Sequence, residues 1–263
     1  MSNIHPTAII EEGAIVGTNV TIGPFVTISS QSIIGDDTII DAHANIAGKT
    51  TIGNGNHIFS HAVVGSIPQD LKFSGEDVEL IIGDNNKIRE FTLINPGTKG
   101  GGSITKIGNN NLLMGYVHLG HDVIMGNNCI LANGVNLAGH VELGNNVVIG
   151  GLTPVHQFVH IGDFAMIGGA SALSQDIPPY CLAEGNRAIL RGLNLTGLRR
   201  HLQREEINLL KTAYRELFEK GNSLQETAET LLETSESKII KNLLTFITIS
   251  KRGIPYIRKN ING

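Results

Sequence analysis

Residues 107–143 read IGNNNL LMGYVH LGHDVI MGNNCI LANGVN LAGHVE L, and every block of six begins with an aliphatic residue or methionine: Ile107, Leu113, Leu119, Met125, Leu131, Leu137 and Leu143. A period of six fits neither the 3.6-residue repeat of an α-helix nor the two-residue alternation of a lone strand. It is the mark of a parallel β-helix, in which each hexad supplies a short strand and a turn and three hexads close one triangular coil.

The grid extends in both directions. Upstream it runs through Ile4, Ile10, Val16, Ile22, Ile28, Ile34, Ile40, Ile46, Ile52, Ile58 and Val64, then Ile82, Ile88 and Ile94. Downstream it continues at Ile149, Val155, Ile161, Ile167 and Leu173. Two stretches leave it: residues 66–81, and residues 96–106, where the phase slips by one. Long loops on a rigid solenoid tend to carry function. The second, PGTKGGGSITK, lacks the Gly-Lys-Ser/Thr ending of a phosphate-binding loop.

Composition agrees with a narrow aliphatic prism. Glycine accounts for 32 of 263 residues, aromatics for 5% and tryptophan for none. Glycine often follows the grid aliphatic, as at Gly17, Gly83 and Gly126. It is expected there as the residue that turns sharply, because positive φ costs it little. The glycines do not recur every third residue, which excludes collagen. A hydrophobic content of 41% with a net charge of −4 excludes disorder. No apolar run is long enough for a membrane span, so no membrane insertion is expected. The start, MSNIHP, has no basic and apolar leader, and two cysteines make no disulfide framework. A cytoplasmic location is the expectation.

Charge divides the chain. Residues 1–173 carry 6 Lys and Arg against 14 Asp and Glu, net −8; residues 174–263 carry 14 against 10, net +4. The period becomes helical from about Gln203, with Ile207, Leu210, Tyr214, Leu217 and Phe218 on one face up to Gly221. Ser223 with Glu226 suits a capping box for a second helix, and a third is expected near 236–250. Two domains follow: 1–182, the β-helix, and 183–263, a helical domain capping its end. Between Gly185 and Arg204 stand Arg187, Arg191, Arg199, Arg200 and Arg204 with no acid, a stretch suited to an anionic partner. Nucleic acid is disfavoured by the acidic total and the lack of interleaved aromatics.

Counting hexads in threes places His121, Gly139-His140 and His156-Gln157 on one face of three successive coils, with His118 at the preceding corner. Imidazoles on one edge suit a general base near neutrality. The competing use is zinc, through His118, His121 and a third histidine, as in a zinc lyase of the carbonic anhydrase type. No cysteine or carboxylate cluster supports it, so no metal is expected.

The strings Tyr116-Val117-His118-Leu119-Gly120-His121-Asp122, Leu137-Ala138-Gly139-His140 and Thr153-Pro154-Val155-His156-Gln157-Phe158 resemble those of the UDP-N-acetylglucosamine O-acyltransferases. Gln69-Asp70-Leu71-Lys72, Gln175-Asp176-Ile177-Pro178-Pro179-Tyr180 and Glu184-Gly185-Asn186-Arg187 match as well, and the similarity spans essentially the whole chain. The resemblance implies a left-handed parallel β-helix with a C-terminal α-helical domain, assembled as a homotrimer with active sites between subunits. It implies transfer of an (R)-3-hydroxyacyl chain from acyl carrier protein to the 3-position of the UDP-sugar, in lipid A biosynthesis. The carrier thioester is a substrate, and no cofactor is implied.

His121 would be the base, Asp122 would orient it or bind the sugar, and the Gly139 N–H would stabilise the oxyanion. Gln69, Asp70, Lys72, His118, His140, His156 and Gln157 would line the substrate site. Asn194 and Arg200 would hold acyl or phosphate groups, and Gly169 would set acyl-chain length, its bare α-carbon admitting a long chain. The acidic carrier protein would dock on the basic C-terminal region. Asn95 and Thr196 depart from the family pattern, where a histidine and a glutamate are usual. That leaves a 3-amino analogue of the sugar nucleotide open as acceptor.

Overall fold

The computed structural model describes residues 2–257; Met1 and residues 258–263, the extreme ends of the two expected domains, lie outside the described residues. Strands of two residues, or of four at Lys49–Ile52, Glu79–Ile82 and Ile104–Ile107, alternate with turns from Asn3 to Ile167 and stack into three parallel sheets. Successive coils align in register: Asn3 pairs with Thr21, Thr21 with Ile39, and Ile39 with His57. The chain is the parallel β-helix that the six-residue period implies, of the left-handed kind that the resemblance implies.

Grid aliphatics point inward and stack coil upon coil. Ile22, Ile40, Ile58, Ile88, Leu113 and Leu131, successive members of the first sheet, are each no more than 1% exposed. Small residues four positions later, such as Val20, Ala44, Val117 and Val135, fill the corners of the prism. Each buried aliphatic contributes about 1.5–3 kcal/mol, and the sum over the column offsets the ordering of so many turns. The few aromatics stay outside. Phe25, His43, His61, Phe91 and Tyr116 form a ladder of near-parallel rings along one corner, with centroids 4.9–5.2 Å apart.

The expected role of the hexad glycines needs correcting. With the exception of Gly65, they do not hold the left-handed backbone. Positive φ falls two residues later and is carried mostly by other residue types, including Asn19, Asn85, Tyr116 and Phe158. The glycines are required by close stacking instead. A Cβ on Gly126 would lie 2.6 Å from the carbonyl oxygen of Gly144 in the next coil, closer than atoms tolerate.

Both loops leave the solenoid at one corner. Residues 65–78 connect Val63–Val64 of the second sheet to Glu79–Ile82 of the third. Residues 95–103 connect Leu93–Ile94 to Ile104–Ile107 in the next coil. The turn carrying His121 and Asp122 makes the same crossing one coil further on, between His118–Leu119 and Ile124–Met125.

The expected division after residue 182 falls inside the strand Cys181–Glu184. This strand pairs with Met166–Ile167 and then, antiparallel, with Ile189–Leu193. Helices follow only after that hairpin: α1 (Leu195–Leu198), α2 (Arg204–Phe218), α3 (Leu224–Thr234) and α4 (Lys238–Ile249). Ser223 precedes α3 but makes no side-chain cap bond; the reciprocal glutamate contact occurs at α2, where Gln203 N–H donates to Glu206 at 2.9 Å. Asn242 of α4 donates to Asp163 at 3.2 Å and to the Tyr180 hydroxyl at 2.9 Å, tying helices to solenoid. Cys129 and Cys181 are buried and unpaired, and burial pushes the Cys129 thiol up to about 11. No helix among the described residues is long and apolar enough to cross a membrane.

Candidate active site

The shared corner brings the two loops over the histidine-bearing turns. Asp70, Lys72 and Glu76 of the first loop and Thr98, Lys99 and Gly100 of the second line a cleft of about 550 Å³ with His140 and Phe158. Coil stacking decides which histidines meet. His121 stands two residues after its grid aliphatic, His140 three after and His156 one after, so the three imidazoles are out of step rather than in one column. His121 and His140 pack edge to face, with centroids 5.0 Å apart. His140 stacks on Phe158 at 4.3 Å. His156 is exposed and its Nδ1 lies 3.1 Å from the Gln157 carbonyl.

His121 and Asp122 form a dyad, with Nδ1 2.7 Å from Oδ2. The Asp122 side chain is only 1% exposed. Its second hydrogen-bond partner is Thr98, whose hydroxyl donates to Oδ2 at 2.6 Å and whose N–H donates to Oδ1 at 2.8 Å. A carboxylate so placed accepts from Nδ1, so the proton sits on Nδ1 and the Nε2 lone pair is left for a substrate. Gly139 lies directly against that edge of the ring: a Cβ there would stand 2.6 Å from Nε2. The Gly139 carbonyl accepts from Phe158, whereas its N–H meets no acceptor among the described residues. His121 Nε2 and the Gly139 N–H, on adjacent coils, are both without a hydrogen-bond partner among the described residues.

His118 is held by a buried amide. Its Nε2 lies 3.1 Å from Asn95 Oδ1, and the Asn95 amide donates to the carbonyls of Ser66 and Ile67, each at 3.0 Å. Asn95 is 1% exposed, so the departure from the family pattern serves as a clamp between the first loop and the solenoid. Burial, with the neighbouring His121, holds the His118 imidazole below its ordinary range. Burial also lowers His140, against an opposing pull from Asp122.

Other expected site residues lie apart from the cleft within one chain. Asn194 is buried and caps α1: its oxygen accepts from Gly197 at 3.0 Å and its amide donates to Phe164 at 2.9 Å. Arg200 is exposed beside that helix. Arg191 is paired with Glu184 at 3.4 Å, which takes one cation out of the basic stretch. Gly169 is exposed, and a Cβ there would make only ordinary contacts, at 3.4 Å and beyond. Gln69 is exposed on the first loop.

The zinc alternative in the sequence rests on His118, His121 and a third histidine. Among the described residues, His121, Asp122 and His140 are the three that offer atoms within 4.8 Å of one another. Both oxygens of Asp122 already accept from Thr98, and His140 Nε2 stands 3.8 Å from Oδ2. Oδ2 is thus engaged by the Thr98 hydroxyl and by His121 Nδ1.

Thr98, Thr105, Gly101 and Phe158 escape sequence reasoning as site residues. Phe158 had a signal, since it occupies the same hexad position as His140. The threonines had none, because their loop has no period.

Comparison with known proteins places these features in context. The family model for UDP-N-acetylglucosamine O-acyltransferase, domain 2, matches residues 176–255, and that for bacterial transferase hexapeptide repeats matches 104–139. A protein of Sulfurovum sp. (strain NBC37-1) named acyl-[acyl-carrier-protein]--UDP-N-acetylglucosamine O-acyltransferase is 74% identical over 99% of this chain and 100% of its own. The protein of that name from Sulfurimonas denitrificans is likewise 74% identical, over 99% and 100%. The solved UDP-N-acetylglucosamine acyltransferase from Campylobacter jejuni superposes with a TM-score of 0.94 at 50% identity, covering 97% of this chain and 100% of that one.

Proposed function

The chain belongs to the UDP-N-acetylglucosamine O-acyltransferase family, and on that premise we propose that it transfers an (R)-3-hydroxyacyl group from acyl carrier protein to the 3-hydroxyl of UDP-N-acetylglucosamine, in lipid A biosynthesis. The observation that carries the mechanism is the free Nε2 of His121 beside the unpaired N–H of Gly139.

His121 Nε2 takes the proton of the sugar 3-hydroxyl as its oxygen attacks the thioester carbon. The carbonyl oxygen becomes an oxyanion and accepts from Gly139 N–H. Asp122 steadies the imidazolium that forms. The tetrahedral adduct collapses by breaking the C–S bond, and the imidazolium returns the proton to the departing thiolate. An ester and a free carrier thiol result, with no cofactor in the balance.

Asp70, Lys72, His140 and Phe158 border the cleft in which the sugar nucleotide binds, with His118, His156, Gln157 and Gln69 around it. The active unit is a homotrimer with clefts between subunits, which gives Asn194 and Arg200 access to substrate that they lack within one chain. The exposed arginines of the C-terminal region receive the acidic carrier protein. Gly169 leaves room for a long acyl chain, a reading supported by the absence of any packing need for glycine there. The protein works in the cytoplasm.

The test is acyl transfer from a ladder of hydroxyacyl-carrier thioesters to UDP-N-acetylglucosamine, with its 3-amino analogue in competition. His121→Ala is expected to lose on the order of 10²–10⁴-fold in kcat while folding and assembling normally. Turnover near wild type in that variant, or a predominantly amide product, overturns this reading.

A further inference from the structure

The loop at residues 95–103 breaks the hexapeptide register, and what it delivers is a threonine. Thr98 is 5% exposed and stands at the start of the short 3₁₀ turn Lys99–Gly101, where a threonine hydroxyl ordinarily caps the turn. Here it makes no cap bond. Its hydroxyl and its backbone N–H go instead to the two oxygens of Asp122, at 2.6 and 2.8 Å. The strand that follows, Ile104–Ile107, holds the Asp122 backbone, since Asp122 N–H donates to Thr105 Oγ1 at 2.9 Å. Gly101 lets the loop close over the carboxylate, because a Cβ at that position would overlap Asp122 Cγ.

The Asp122 carboxylate has two imidazoles within reach. His121 Nδ1 is 2.7 Å from Oδ2 and His140 Nε2 is 3.8 Å from the same oxygen. A carboxylate free to rotate would be shared between them. Two donors from one residue, one on each oxygen, remove that freedom and direct Oδ2 at His121.

We propose that Thr98 is a positioning residue for the reaction, which fixes the Asp122 carboxylate on His121 and so sets the tautomer of the base. This rests on the acyltransferase reading above. Thr98 touches no reacting atom; it acts through Asp122, as outer-shell partners orient the ligands they support.

The experiment compares Thr98→Val, which keeps shape and loses the hydroxyl, with Thr98→Ser, which keeps the hydroxyl, and with Thr98→Ala in case valine disturbs the loop. Wild type and His121→Ala are run alongside in the full-length protein. The expected result is a fall in kcat of about 10–100-fold for Val and Ala, with KM for both substrates within about twofold and most of kcat restored by Ser. The proton resonance of the His121 Nδ1–H should broaden into solvent exchange in Val and Ala and persist in Ser. Wild-type kcat in a folded Val or Ala variant overturns the proposal. So does equal loss in Ser and Val, or a loss borne by KM, since each would mean that the residue only shapes the loop. If His121→Ala itself retains turnover, the acyltransferase mechanism fails first, and that outcome is separate from any result at Thr98.

Discussion

Two glycines show how one residue type serves two ends. Gly139 is compelled by its own fold, since any Cβ would press into the His121 ring at 2.5–2.6 Å. Gly169 is not, because a Cβ there meets only ordinary contacts. On the proposed function, Gly139→Ala is therefore expected to lose more than an oxyanion contact, because the methyl must displace the His121 ring that serves as base. We expect kcat to fall by at least about 10²-fold, the scale of a lost oxyanion donor, with the unfolding midpoint little changed. Steady-state kinetics together with thermal unfolding would check it, and a variant that unfolds early would point to a packing role instead. The sequence-level reading reached Gly139 through resemblance; that the imidazole rests on its α-carbon is visible only when two coils are stacked.

At the level of the element, the coils are joined by more than strand ladders. Asn56, Asn86 and Asn111 are buried one above the next. The Asn56 side chain accepts from Asn86 N–H, and the Asn86 side chain accepts from Asn111 N–H, each at 2.9 Å. Asn86 also donates to the Gly108 carbonyl at 3.0 Å. The column ends at Cys129, whose N–H donates to Asn111 and whose thiol reaches the Gly144 carbonyl. Asn86→Ala leaves the Asn111 N–H and the Gly108 carbonyl buried without partners. At about 1–3 kcal/mol for an unsatisfied group, the variant should lose roughly 2–4 kcal/mol of stability, read as a lower urea midpoint. A change within experimental error would show that water enters the corner and replaces the amide.

At the level of the whole molecule, charge is segregated along the axis, with net −8 in residues 1–173 and +4 in residues 174–263. Arg187, Arg199, Arg200 and Arg204 are exposed on the basic part. On the proposed function, Arg199→Glu with Arg204→Glu should raise KM for the acyl carrier substrate by about tenfold or more at low salt, leaving KM for the sugar nucleotide nearer wild type. The difference from wild type should shrink as salt approaches 1 M, where the screening length falls to about 3 Å. A loss that salt does not touch would place these arginines in the active-site cleft rather than on a docking surface.

The solenoid, its interruptions and the helical end are legible in the amino-acid sequence, because a six-residue period recurs only where an inward aliphatic and a small corner residue four positions later repeat in every coil edge. The sequence also marked His121, His140 and Gly139 as belonging to one face. Left to tertiary structure were the pairings among neighbours of different coils. Only stacking shows that hexad glycines answer to the coil above rather than to their own φ, and that the Asn194 amide reaches the Phe164 carbonyl. The support of Asp122 by Thr98 belongs to the same class. These contacts join residues about one coil or more apart in sequence, through offsets of a single position and loops without period. Periodicity specifies which side of the strand a residue faces; the contact it makes depends on the height and offset of the next coil.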